Sequence, residues 1–169
     1  MKMHEELVQS FNDAIRKELE SAYKYEAMAL WLRYHNLDGM AHWMHLQAEE
    51  ELEHAVKFRE YIELRGDKVH LTAIQEPKSE YKSALEAFED GLHAEIAVTR
   101  WLLSMRELAV KHKDEGAVLL LDWFVREQEA EENTAQSILD KFTLAGITHE
   151  THHGAAIYLL DKELGVRGK

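Results

Sequence analysis

Apolar positions recur in steps of three and four along four long segments, about 4–36, 38–65, 80–112 and 115–145, and along a short one, about 155–164. That spacing places each series on one helical face. β-Branched residues never accumulate with a period of two, so strands are not expected. Breaks fall at Asn36-Leu37-Asp38-Gly39, Gly66-Asp67, Glu76-Pro77-Lys78-Ser79, Lys113-Asp114-Glu115-Gly116 and Ala145-Gly146. The pattern predicts an all-α chain.

Two of the junctions are short, which makes helices one and two antiparallel neighbours, and helices three and four likewise. The middle junction, Gly66 to Ser79, is longer. A helix of roughly 27 residues is about 40 Å long, and a 14-residue extended segment spans roughly 46 Å. The segment can therefore run the length of a bundle and leave helices two and three parallel. The expected architecture is a four-helix bundle with one long crossover and a short C-terminal fifth helix.

The core-facing stripes carry the chemistry. Helix one reads Leu7, Phe11, Ala14, Glu18, Ala22, Tyr25, Ala29, Leu32, and helix two reads Met40, Met44, Gln47, Glu51, His54, Phe58, Tyr61. Helix three reads Leu85, Phe88, Leu92, Glu95, Thr99, Leu102, and helix four Leu120, Phe124, Gln128, Glu131, Ala135, Ile138, Phe142. Each stripe is apolar at both ends and polar in the middle. Glu18, Glu51, Glu95 and Glu131 should thus meet His54 at mid-height of the bundle. Unpaired buried carboxylates are strongly disfavoured. Protonation relieves part of that charge; a pair of divalent cations removes it directly. Hard carboxylate oxygens with one imidazole suit Fe(II), Mn(II) or Zn(II) better than a soft metal.

Composition narrows the partners. The chain has 169 residues, 46% of them hydrophobic and 31% charged, which suits one helix-rich domain spanning residues 1–169. A formal charge of −12 disfavours nucleic acid and anionic membranes and favours cations. There is no cysteine, so only oxygen and nitrogen ligands remain for a metal. No apolar run approaches the roughly 20 residues that span a bilayer. The segment from Met1 to Glu6 opens directly into a charged amphipathic pattern, so no signal peptide and a cytoplasmic location are expected.

At these residues the sequence resembles the bacterial non-haem ferritins, within the ferritin-like di-iron carboxylate proteins. The resemblance runs from Lys17-Glu18-Leu19-Glu20 through Tyr25, Glu49-Glu50-Glu51-Leu52-Glu53-His54, Glu95 and Trp123-Phe124-Val125-Arg126-Glu127-Gln128 to Leu159-Leu160-Asp161-Lys162-Glu163-Leu164. It implies one iron site at Glu18, Glu51 and His54, and a second at Glu95 and Glu131 with Glu51 as the bridge. Gln128 corresponds to the family's glutamine on the dioxygen side, and Tyr25 to the tyrosine hydrogen-bonded beside the first site. Glu50, Glu127 and Glu131 match a third iron position, but Ala130 stands where the family commonly has another acid. Haem is not expected, because Leu52 and Glu131 replace bacterioferritin's ligand methionine and the histidine of its second Glu-x-x-His.

The resemblance implies a ferroxidase and iron store. Fe(II) would be oxidised to Fe(III) by O2 or H2O2 and kept as a ferric mineral inside a homo-oligomeric cage of twenty-four subunits. Trp31, Trp43, Trp101 and Trp123 lie off the stripes and are read as subunit contacts. His149, His152 and His153 are placed in a solvated loop, and His42 and His45 on the surface near Glu49. His4, His35, His70, His93 and His112 are given no function. Two rival readings are a rubrerythrin-like di-iron enzyme and a metal-free structural bundle. The lack of a four-cysteine module and of a second ligand histidine counts against the first.

Overall fold

A computed structural model describes residues 2–168; Met1 and Lys169, the ends of the expected domain, lie outside the described residues. Five helices follow in order: α1 Glu5–Tyr34, α2 Asp38–Leu64, α3 Ala84–Lys111, α4 Glu115–Leu144 and α5 Ala155–Leu164. No strand occurs among the described residues. α1 packs most extensively on α2, and α3 on α4.

Helix ends follow from local chemistry. The four long helices all close with a left-handed residue just past the cap: Asn36, Gly66, Lys113 and Gly146. In each, the next amide reaches back five residues, as from Leu37 to the Leu32 carbonyl and from Asp114 to the Ala109 carbonyl. These bonds satisfy carbonyls that the helix leaves open. Glycine adopts this conformation freely and asparagine tolerates it, whereas Lys113 holds it at a cost. The third helix starts at Ala84 and not at the expected 80, because Ser83 caps it by accepting the Glu86 amide at 3.1 Å.

Ion pairs and caps fix the topology. At one end, Arg65 just past α2 makes a two-pronged pair with Asp114, the N-cap of α4, at 2.8 Å for each prong. Lys111 at the end of α3 reaches Glu6 in the first turn of α1 at 3.1 Å. The C-termini of α2 and α3 therefore share an end with the N-termini of α1 and α4. Consequently α2 and α3 are parallel, and the long segment between Leu64 and Ala84 is the expected crossover.

At the other end α5 closes the bundle. Asp161 Oδ1 accepts the Met40 amide at 2.9 Å, capping α2 from another helix, since Leu37 has no side chain able to do so. The close approach depends on Gly39, where a Cβ would lie 1.8 Å from the Asp161 carbonyl oxygen.

Two apolar clusters divide the core. One gathers Leu32, Met40, Met44, Phe88, Ile138, Phe142 and the α5 side chains. The other gathers Leu7, Phe11, Phe58, Leu102, Leu121 and Phe124, with the Phe58 and Phe124 rings stacked at 4.1 Å. Between them lie the buried polar residues Glu18, Gln47, Glu51, His54, Glu95 and Gln128. The apolar–polar–apolar stripes are thus two cores with a polar layer between them.

The tryptophans correct one expectation. Trp31 and Trp43 are only 9% and 6% exposed within the single chain. Trp31 lies against Tyr81 of the crossover, and Trp43 against Phe88 and Arg167. The crossover and the C-terminal segment cover helix faces that a stripe reading leaves to solvent. Trp101 is half-buried and Trp123 exposed, so only these two remain available to a neighbouring subunit.

Candidate metal centre

The polar layer is built by side chains that each helix projects from its middle. α1 supplies Glu18 and Tyr25, α2 Gln47, Glu51 and His54, α3 Glu95, and α4 Gln128 and Glu131. On α2, Glu51 and His54 are three residues apart and face the same way, with His54 Nδ1 3.5 Å from Glu51 Oε2. Glu18, Glu51 and His54 bring one ligand atom each within 4.8 Å of one another, and all three are buried.

Glu18 decides what this cluster suits. Both of its oxygens are buried and neither receives a hydrogen bond. A buried carboxylate left so is costly, and a divalent cation on the same oxygens removes the cost. The donor set, carboxylate oxygens and one imidazole, fits Fe(II).

Residues 8–145 match the ferritin-like domain family, and the chain is 36% identical over 165 residues to the bacterial non-heme ferritin of Staphylococcus haemolyticus, covering 98% of this chain and 96% of that one. The chain belongs to the ferritin family. The bacterial non-heme ferritin of Escherichia coli O157:H7 is 30% identical over 159 residues, 94% of this chain and 93% of its own. Among solved structures, an engineered closed form of Archaeoglobus fulgidus ferritin superposes with a TM-score of 0.93 at 38% identity, over 99% of each chain. The open-pore ferritin of the same archaeon gives 0.92 at 37% identity, over 98% of each chain.

Within this ferritin fold the remaining residues surround the trio. Glu95 is held from two sides: the Tyr25 hydroxyl donates to Oε1 and Gln128 Nε2 to Oε2. Gln128 Nε2 also reaches the Glu95 carbonyl at 3.2 Å. Tyr25 thus bonds Glu95, assigned by the resemblance to the second site, and not a member of the Glu18–Glu51–His54 trio. Glu131 is half-buried and accepts from Gln47 Nε2 at 2.7 Å. Glu50 and Glu127 are half-buried on α2 and α4. The trio is the only group of potential ligands gathered so closely in this layer among the described residues. Glu95 is near enough to repel Glu18, and Glu50 and Glu131 are near enough to attract a proton to His54.

No lysine or arginine is buried among these acids in the described residues. Burial, then repulsion from Glu51, pushes the Glu18 carboxyl well above its ordinary range. Burial and Glu51 raise Glu95 to about 8, against the opposing hydrogen bonds from Tyr25 and Gln128. Burial also raises Glu131, opposed by the hydrogen bond from Gln47. For His54, burial favours the neutral ring, but Glu51 and the surrounding acids outweigh it and the net shift is upward. Tyr25, buried and facing Glu95, is held well above the usual phenol range and stays protonated.

Two supporting residues have roles that the sequence does not assign. Gln47 stands in the α2 stripe, one turn before Glu51, and its spacing was its only signal. Arg167 follows α5, and nothing local in the sequence connects it to Gln47. The histidines divide. His149 sits in the expected loop, 3.0 Å from Ser83 and 3.5 Å from Glu89, and His152 and His153 are exposed there. His45 contacts Glu26 at 2.8 Å and Glu49 at 3.7 Å. His4 and His112, unassigned from sequence, stack at 3.7 Å and gather with Glu6 at the bundle end. Lys111 and His112 already pair with Glu6 there.

Proposed function

We propose that the chain is an iron-storage ferritin with ferroxidase activity, acting on Fe(II) at a two-iron site within the subunit. The observation that carries this reading is Glu18, whose two buried oxygens lack any hydrogen-bond donor and face Glu51 and His54. Glu18, Glu51 and His54 would hold one Fe(II), and Glu51, Glu95 and Glu131 the other, with Glu51 shared.

The residues around the ligands have separate tasks. Tyr25 and Gln128 orient Glu95, and Gln47 orients Glu131. Packing of the His54 ring against Phe124, 5.5 Å between centroids, fixes the imidazole plane. Such outer contacts tune ligand orientation and basicity. Anionic ligands favour the higher charge of Fe(III) over Fe(II) and so lower the potential.

Two Fe(II) ions give one electron each. Dioxygen takes both with two protons and leaves as hydrogen peroxide, or peroxide takes both with two protons and becomes water. Fe(III) then hydrolyses, releasing protons as the oxyhydroxide mineral forms. Storage requires a closed container, and we propose a cage of twenty-four subunits.

The initial rate of Fe(II) oxidation tests the site. Glu51→Ala and His54→Ala should slow it at least about tenfold, since losing even an outer contact to a metal's ligand costs about that much. The wild-type rate in either variant would overturn the assignment. Sedimentation of the iron-loaded protein should show a particle of hundreds of kilodaltons; a stable monomer would remove the storage half.

A further inference from the structure

Beyond α5 the chain turns back, and Arg167 lies along α2 beside the metal centre. Its Nη2 donates to Glu50 Oε2 at 2.8 Å. Its Nη1 donates to Gln47 Oε1 at 3.0 Å and to the Trp43 carbonyl at 3.3 Å. The guanidinium carbon sits over the Trp43 ring, 4.6 Å from the centroid, and the Arg167 carbonyl accepts from His42 Nε2 at 2.9 Å. The segment is held by its charge, by its plane and by its backbone.

Gln47 links this arginine to the centre. Its oxygen accepts from Arg167, and its nitrogen donates to Glu131 Oε2 at 2.7 Å. An amide has one acceptor end and one donor end. Turned over, it would set its NH2 against the guanidinium and its carbonyl against the carboxylate, both repulsive. Arg167 therefore determines which way Gln47 faces, and Gln47 in turn determines which Glu131 oxygen is engaged.

The charges point the same way. Two divalent cations balance four carboxylates, Glu18, Glu51, Glu95 and Glu131. Glu50 is a fifth, close enough to His54 and Glu131 to act on the charge of both. The cation facing it is the chain's own. A planar guanidinium suits such a place, since its fork serves two acceptors at once while its face rests on an aromatic ring.

We propose that Arg167 is a built-in cation at the edge of the metal centre, holding Glu50 in place of a further metal ion and, through Gln47, positioning Glu131. The inference rests on the two-iron reading of the site. Arg167 limits the number of metal ions that the acids accept.

Calorimetric titration of the assembled, metal-free protein with Zn(II) tests this, since zinc has no redox chemistry to confuse the count. Arg167→Ala should bind about one Zn(II) more per subunit than the wild type, because a freed carboxylate beside Glu131 becomes a ligand. Adding Glu50→Gln to Arg167→Ala should return the count to the wild-type value. Arg167→Lys keeps the charge but lacks the fork, so its count should stay at the wild-type value while the weaker-binding zinc loses several-fold in affinity. An unchanged count in Arg167→Ala, or an added zinc that survives Glu50→Gln, would overturn the proposal alone. A wild-type chain that binds no zinc pair would overturn the two-iron reading and this inference together.

Discussion

Tyr25 on α1 and Glu95 on α3 are joined by a hydrogen bond from the phenol to one carboxylate oxygen, while Gln128 on α4 takes the other. Three helices therefore meet on a single carboxylate. Both bonds hold Glu95 lower in pKa than its burial alone would set it. Tyr25→Phe removes one of them without changing the ring's packing. The variant should keep its helices and lose about 1–3 kcal/mol of stability, as expected when a buried acceptor loses its donor. Its Glu95 should hold a proton to higher pH, so Zn(II) binding followed against pH should shift its midpoint upward from that of the wild type. Identical midpoints would show that the phenol does not tune the carboxylate.

The metal-free protein should lose stability as pH rises. Glu18 and Glu95 have folded-state values above 4.5, and Glu95 reaches about 8. For such groups the native state binds protons that the unfolded chain has already released. Their stabilising contribution is complete below about pH 4.5 and disappears as pH climbs through the folded value. Urea unfolding of the metal-free chain between pH 5 and 9 should show this decline, once other groups are matched by comparison with Glu95→Gln. Bound divalent cations should reverse the slope, because they displace the same protons. A metal-free stability that is flat over this window, with or without Glu95→Gln, would contradict the crowded-acid description.

Lys113 offers a gain in stability. It alone among the four left-handed residues that close the long helices is neither glycine nor asparagine, at a φ of 54°. Lys113→Gly should raise stability by about 1 kcal/mol, the cost of holding an ordinary L-residue in that region. Gly66→Lys, which imposes the same burden at φ 71° past α2, should lower it by a similar amount. Thermal unfolding of the two variants reads both. The neighbouring Asp114 must be kept, since it both caps α4 and pairs with Arg65.

Much of this was legible in the stripes. Every stripe residue chosen on α1 is buried, and the polar interruptions Glu18, Gln47, Glu51, His54, Glu95 and Gln128 all fall in the layer between the two apolar clusters. Such periodicity is legible because one helix face is set by residues three and four apart. Trp31 and Trp43 were misread for the complementary reason. They are covered by the crossover and the C-terminal segment, whose paths no helical period encodes. The support of Glu131 was hidden likewise. Gln47 and Glu131 are 84 positions apart, and Arg167 reaches Gln47 across 120. A polar pair at that separation becomes visible only once α2, α4 and the C-terminal segment have been packed together.

The central claim, that these acids form a two-iron oxidation site, is tested most directly by anaerobic Fe(II) titration followed by air. Binding should saturate at about two Fe(II) per subunit, and admitting air should convert the bound iron to Fe(III), read by its near-ultraviolet absorbance. Glu51→Ala should abolish both. Binding that does not saturate, or a two-iron step that persists in Glu51→Ala, would contradict the account.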